Sequence, residues 1–149
     1  MERDKEIMDY QNYAMGKWVS GDGDGTPLFN AITGTEIGRA NSKGLDFGQM
    51  MNYSREIGSP ALRKMTFQQR GLMLKALALH LHGIKGKFYE LSAPTGATKL
   101  DSWIDIEGGI GNLFANASLR KQFPDLPYYV DGEAAKLSQK GTFIGHHIM

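Results

Sequence analysis

From Thr66 to Arg120 the apolar residues recur every three or four positions, and a single interruption, Ser92-Ala93-Pro94-Thr95-Gly96, divides the run in two. Steps of three and four paint one stripe along an α-helix, so the pattern predicts two long helices. The first carries Phe67, Gly71, Leu74, Leu77, Leu81, Ile84, Phe88 and Leu91 on its stripe, with Gln69, Lys75, His82 and Lys85 mostly off it. Thr66 followed three residues later by Gln69 is a capping box, in which each side chain satisfies a backbone N–H left open at a helix start. Gly83 and Gly86 each weaken a helix by about 1 kcal/mol relative to alanine, which predicts a break or kink near Gly83 rather than one straight rod. The second helix carries Trp103, Ile106, Ile110, Leu113, Phe114 and Ala117. Thr98 is its expected cap, and Asp101 falls in the first turn, where negative charge suits the helix dipole. Inside it, Gly108-Gly109-Ile110-Gly111 costs about 1 kcal/mol per glycine. The expectation is close packing: without a Cβ, another backbone can approach and supply the stability the glycines remove.

Outside this stretch the period shortens. Residues 1–9 form a polar arm, frayed or briefly helical. Residues 10–41 read as hairpins: Tyr10 to Val19 folds around Gly16, Ser20 to Gly25 is loop, and Thr26 to Ile32 pairs with Glu36 to Ala40 through Thr33-Gly34. Residues 45–121 make the helical layer, opened by a shorter helix that Asp46 caps and that carries Phe47, Met50, Met51 and Ile57. Gly58 ends that helix, and Ser59-Pro60 starts another. Pro124 and Pro127 punctuate a loop. Tyr128-Tyr129-Val130, Asp131-Gly132 and Ala134 to Leu137 then have the residue order of a hairpin with a tight turn. Thr142 to Met149 reads as a strand that stops without a turn. No internal repeat is visible. The fold class expected from the residues supplied is α+β.

Composition narrows the picture by exclusion. At 149 residues and 16.5 kDa, a single domain can bury about 68–70% of its unfolded surface. The chain has 41% hydrophobic and 22% charged residues, the balance of an ordinary globular protein. A net charge of +1 gives no long-range field to favour nucleic acid or an anionic membrane. Cysteine is absent, which removes disulfides, thiolate metal sites and cysteine nucleophiles together. The mixed-charge start carries no signal-peptide core, and Leu72 to Ile84, interrupted by Lys75, His80 and His82, is too short to span a bilayer.

Each candidate for chemistry meets a plainer reading. Asp22 and Asp24 with Gly25 suggest a calcium loop, yet a loop starting at Ser20 would place Ala31 where a bidentate Glu is required, so a solvated turn is favoured. His80 and His82 stand two apart on a helix and point to different faces. His146 and His147 alternate across a strand. Gly108 to Gly111 lacks the preceding strand and the Lys-Ser/Thr of a phosphate loop. Thr95-Gly96 reads as a helix stop. No catalytic, cofactor-binding or metal-binding residue follows from these patterns.

Several segments nevertheless resemble a known family. Met15-Gly16-Lys17-Trp18, Asn30-Ala31-Ile32-Thr33-Gly34, Arg70 with Leu74 to Leu81, and Thr95-Gly96 fall in the order found at the start of NAD(P)-dependent aldehyde dehydrogenases. The wording of Gly21 to Asn30, Ser42 to Phe47, Trp103 to Gly111 and Gly141 to Gly145 is closer to one branch, the aldehyde dehydrogenase domain of bifunctional phenylacetic acid degradation enzymes (PaaZ/PaaN type). The resemblance covers nearly all of the chain after about Tyr10. It implies an enzyme that oxidises the semialdehyde released on ring-opening of oxepin-CoA with NADP, in the cytoplasm. In such enzymes a cysteine thiolate attacks the aldehyde, hydride leaves to the nicotinamide and a glutamate activates water. The family's Asn, phosphate-binding glycines, Glu and Cys all lie later than the position matching Met149, so no catalytic residue carries over and this piece is expected to bind no NADP or NAD by itself. Tyr128 to Met149 resembles the start of the family's oligomerisation strands, which makes Tyr128, Tyr129, Val130, Phe143 and Ile144 the implied oligomer interface.

The expectation is therefore an N-terminal fragment of a semialdehyde dehydrogenase. Its partners would be the rest of that domain, further copies of itself and, for the parent, a CoA-linked semialdehyde, with neither nucleic acid nor membrane. A parallel sheet needs helices on both faces, and helices with wide apolar stripes need something to bury them. Two other readings stay open: a stand-alone helical assembly module that catalyses nothing, and a small nucleotide-binding protein using Gly108 to Gly111.

Overall fold

The computed structural model describes residues 7–148, with side chains described as far as residue 145. The fold is α+β, and its elements run β1 (Met8–Tyr10), β2 (Asn12–Ala14), β3 (Lys17–Val19), β4 (Thr26–Phe29), β5 (Glu36–Ala40), α1 (Phe47–Tyr53), α2 (Ser59–Arg63), α3 (Phe67–Ser92), α4 (Lys99–Ser118), β6 (Tyr128–Lys136) and β7 (Thr142–Ile148). A π-helical turn, Ser54–Gly58, joins α1 to α2. Short 3₁₀ turns follow α3 and α4. Two compact units result: Met1–Glu56 with Lys85–Ile106, and Ile57–Ile84 with Glu107–Met149.

In the first unit, β2 and β3 form the hairpin expected around Gly16, in register Asn12 with Val19 and Ala14 with Lys17. Met15 and Gly16 both take positive φ (51° and 80°), the twist a two-residue hairpin turn needs. β4 and β5 pair antiparallel, and the Asn30 side chain closes their turn by accepting from the N–H groups of Ile32 and Thr33. Part of the expected N-terminal arm differs from expectation: Met8–Tyr10 is a strand, parallel to β5, and gives a sheet ordered β1-β5-β4. Residues 1–6 of that arm lie outside the described residues. Asp46 caps α1 as expected, accepting from the Gln49 N–H at 2.9 Å. Gly96 in the left-handed region (φ 83°) stops the turn after α3, and there the Pro94 carbonyl accepts from the Ala31 N–H at 2.8 Å.

The long helices and the last two strands correct three expectations. α3 continues unbroken through Gly83 and Gly86, because neither glycine has a neighbour within 4 Å to exploit the weakness, and about 1 kcal/mol apiece is small against 26 residues of cooperative helix. Asp131-Gly132 is no turn. β6 runs straight through it with a bulge between Asp131 and Ala135, Gly132 taking φ 73°, and the hairpin closes instead at Leu137–Gly141 against β7. A bulge and a tight turn both call for a glycine with positive φ, so residue order alone does not separate them. Finally, Gly108, Gly109 and Gly111 meet nothing within 4 Å among the described residues, so the packing expected of them is absent. The expected last strand is found as β7; Met149 is not among the described residues.

Candidate functional site

The first turn of α3 is where the second unit is held together. Thr66 and Gln69 form the expected capping box, with the Thr66 N–H donating to Gln69 Oε1 at 2.9 Å and the Gln69 N–H donating to Thr66 Oγ1 at 3.2 Å. The same Thr66 hydroxyl donates to Asp125. Gln68 donates to the Arg120 and Phe123 carbonyls, and the Phe67 N–H to the Leu126 carbonyl at 3.1 Å. Gly71 then faces the 3₁₀ turn after α4 so closely that a Cβ there would lie 2.6 Å from Arg120 Cβ and 3.0 Å from the Ala117 carbonyl oxygen. Sequence reading placed Gly71 on an apolar stripe but missed its close packing against Arg120, and it missed Gln68 altogether. A polar residue in a helix's first turn gave no separable signal.

Three aromatic rings extend this anchor. Phe67 stacks on Phe123 at 4.7 Å between centroids, and Tyr129 meets Phe123 edge-on at 5.6 Å. Beside them lies a cavity of about 440 Å³ whose lining includes Arg70, Leu74, Leu119 and Arg120.

Of the five residues the resemblance offers as oligomer contacts, Tyr129 thus packs within its own chain, and Tyr128 is half-buried. Val130, Phe143 and Ile144 are exposed. Directly paired residues share a sheet face and neighbours along a strand alternate. With Tyr129 opposite His147, Val130 opposite His146 and Ala135 opposite Phe143, the register puts Tyr128, Val130 and Ile144 on one face and Tyr129 and Phe143 on the other.

The buried lines of the helices keep to the expected stripes at Phe67, Gly71, Ile110 and Ala117 and depart from them by one residue at Ala78 and Ser102. On α3 the buried positions are Phe67, Gly71 and Ala78, while Leu77 and Leu91 are exposed. On α4 they are Ser102, Ile110 and Ala117, while Trp103 is 55% exposed. Ser102 is satisfied by a hydroxyl–hydroxyl hydrogen bond of 2.8 Å to Ser92. Small residues take four of these six buried positions, while the large Leu100, Trp103 and Ile104 are exposed, with a cavity of about 390 Å³ by Tyr89, Lys99, Leu100 and Trp103.

The remaining candidates stay apart. Among the described residues no three His, Asp or Glu side chains converge as a metal would require. His80 is exposed, and His82 Nδ1 sits 4.0 Å from Glu107 Oε2. The side chains of His146 and His147 lie outside the described set. Gly108 to Gly111 is α-helical, so its N–H groups point along the helix and form no phosphate cradle. The Asp22 loop is a structural turn: its N–H donates to the Lys43 carbonyl at 2.9 Å, and Asn41 donates to the Asp22 and Gly23 carbonyls. Nearby, Arg39 is pushed above its ordinary pKa, chiefly by its 2.7 Å hydrogen bond to Glu36 and that carboxylate's charge, with Asp24 and Asp9 adding. No described helix is long and apolar enough to cross a membrane.

No protein-family model matches the chain. Over 143 residues, 95% of its length, it is 28% identical to a 3,4-dehydroadipyl-CoA semialdehyde dehydrogenase of Aromatoleum evansii. The chain spans 28% of that relative. This similarity supports a relationship between the chain and the aldehyde dehydrogenases.

Proposed function

We propose that the chain is an N-terminal scaffold segment of an NADP-dependent semialdehyde dehydrogenase of the phenylacetate degradation pathway. It contributes helical layers and oligomer contacts to an enzyme whose nucleophile, water-activating carboxylate and nicotinamide site lie in other residues. The parent binds NADP or NAD and a CoA-linked semialdehyde and works as a cytoplasmic homo-oligomer, while this segment binds neither cofactor nor substrate by itself.

One observation carries the reading. The buried hydrophobic residues among those described are Ala14, Phe67, Ala78, Ile110 and Ala117, three of them alanines, and no large side chain is fully buried. Meanwhile Leu72, Leu77, Leu79, Leu91, Leu100, Trp103 and Ile104 stand exposed on the two long helices. Fully burying one such side chain is worth about 1.5–3 kcal/mol, so faces of this kind belong under another layer. Alignment along most of the chain with little more than a quarter of a dehydrogenase fits a layer of that sort.

The test is the native gene product. Mass spectrometry of the protein from its source is expected to return a longer polypeptide that contains these residues and, downstream, a cysteine and a nucleotide-binding glycine turn. The 149-residue chain by itself is expected to bind a hydrophobic dye and to produce no NADPH from a CoA-linked semialdehyde. A native product that ends at Met149, or turnover by the isolated chain, overturns the reading.

A further inference from the structure

We propose that the Asp24-Gly25 peptide is a site of spontaneous backbone modification, at which aspartate converts to isoaspartate in the folded chain. The inference stands apart from the dehydrogenase reading and survives its failure.

The chemistry needs an aspartate followed by an unhindered backbone nitrogen, and glycine, without a Cβ, hinders its own nitrogen least. The Gly25 nitrogen attacks Cγ of the protonated Asp24 carboxyl. A C–N bond forms, the C–OH bond breaks, and water leaves with the amide proton, giving a cyclic imide. Water then adds to one of the two imide carbonyls. Addition at Cγ restores aspartate. Addition at the main-chain carbonyl breaks the original peptide bond, so the chain continues through Cβ and Cγ and a free α-carboxylate is left beside it. Only water leaves and returns, and the mass of the chain is unchanged.

Asp-Gly occurs at Asp22, Asp24 and Asp131, and the structure separates the three. The side chain must swing over the following nitrogen, which takes freedom on both sides of the peptide. Asp22 is pinned: its N–H donates to the Lys43 carbonyl at 2.9 Å, and Asn41 Nδ2 donates to its carbonyl at 2.7 Å and to that of Gly23 at 3.2 Å. The Asp22 carboxylate also occupies the space that a Cβ on Gly44 would fill. Asp131 lies within β6, paired with Gly145 of β7. Asp24 is exposed, and no hydrogen bond among the described residues holds its side chain or the Gly25 N–H. Arg39, whose charge Asp24 feels, gives its Nε to Glu36 at 2.7 Å instead. Gly25 itself precedes the β4–β5 ladder, whose first pair is Thr26 with Ala40. A Cβ on Gly25 would already lie 3.0 Å from the Ala40 carbonyl oxygen, so a lengthened backbone entering there is expected to loosen the start of β4 from β5.

The test ages the full chain at neutral pH, folded and in urea, and then cuts it with endoproteinase Asp-N, which cleaves before aspartate but not before isoaspartate. The isomeric peptides are separated and assigned by electron-transfer fragmentation. In the folded chain isoaspartate is expected to accumulate at Asp24 roughly tenfold faster than at Asp22 or Asp131, the protection that a few intact hydrogen bonds give. In urea the three rates are expected to converge. Asp24→Glu, whose cyclisation needs a larger ring, is expected to abolish the signal at that position without raising it at Asp22. Asn41→Ala releases the Asp22-Gly23 peptide and is expected to raise isoaspartate at Asp22 about tenfold. Should that variant not fold, the comparison of the folded with the urea-treated parent carries the test. Asp22 or Asp131 keeping pace with Asp24 in the folded chain, no rise at Asp22 in a folded Asn41→Ala chain, or isoaspartate that forms in urea and nowhere in the folded chain would each overturn the proposal.

Discussion

The first turns of α3 and the middle of α4 contain the same kind of residue and use it in opposite ways. Gly71 has Arg120 Cβ and the Ala117 carbonyl against the place where its side chain would be, whereas Gly108, Gly109 and Gly111 have open space there. Each glycine costs its helix about the same, near 1 kcal/mol. At Gly71 the neighbour repays that cost through contact, and at the α4 glycines nothing among the described residues does. The contrast shows that a glycine in a helical pattern announces a weak point but not its compensation, which depends on what the rest of the fold brings alongside.

The largest effect should come from filling the packed position. Gly71→Leu forces apart Arg120 and the turn after α4, backbone included, so the chain is expected to lose about 2–3 kcal/mol, read as a lower midpoint in urea. Unchanged stability would mean that the approach at Gly71 is loose and the contrast false.

Filling the open positions should do the reverse. Gly108→Ala, Gly109→Ala and Gly111→Ala meet no neighbour and need no unusual φ. Each is expected to stabilise the isolated chain by about 0.5–1 kcal/mol through the entropy of the unfolded state. In the longer protein the proposed function calls for, the same substitutions sharpen the comparison. If a further segment lies against this run there, the sign inverts and the triple variant is destabilised. Comparing urea midpoints of both forms checks this directly.

What was legible in the sequence follows the same division between local and non-local causes. The hairpin at Gly16, the Asp46 cap, the Thr66–Gln69 capping box and the Thr98 cap were readable because the residues that decide them lie within a few positions of one another. The bulge at Gly132 was not, because a hairpin turn and a bulge make the same local demand and the strand across the ladder chooses between them. At one position on each helix burial falls beside the expected residue, on Ala78 next to Leu77 and on Ser102 next to Trp103, for a related reason. Close helix contact selects small side chains, which a search for large apolar residues passes over. The anchor at Gly71 was the least legible, since Gly71 and Arg120 lie far apart in the chain and only the fold brings them together.

The two helix starts sharpen the comparison with a smaller effect. Thr66→Ala removes the hydroxyl that accepts from the Gln69 N–H and donates to Asp125. It is expected to cost about 1 kcal/mol, the usual worth of such a cap. Because the reciprocal residue is the neutral Gln69, the part of that loss that belongs to the cap should persist across pH in denaturation measured on the variant and its parent.

At α4 the partner is charged, and there the cap should carry a pH signature. Asp101 Oδ2 accepts from the Thr98 hydroxyl at 2.6 Å and from the Thr98 N–H at 3.2 Å, while the Asp101 N–H donates back to Thr98 Oγ1. These bonds, the hydroxyl's first and the backbone's second, hold the Asp101 carboxyl below its ordinary pKa. A carboxyl whose pKa is depressed on folding adds stability that is fully present above the unfolded value, about pH 4, and disappears as the pH falls through the lower folded value. The gap in urea midpoint between the parent chain and Asp101→Asn should therefore be constant from about pH 5 upward and close as the pH drops below about 4. The corresponding gap for Thr66→Ala should stay open over the same range. If the Asp101→Asn gap is flat down to about pH 2, the carboxylate's charge has no part in the cap, and the two helix starts are equivalent after all.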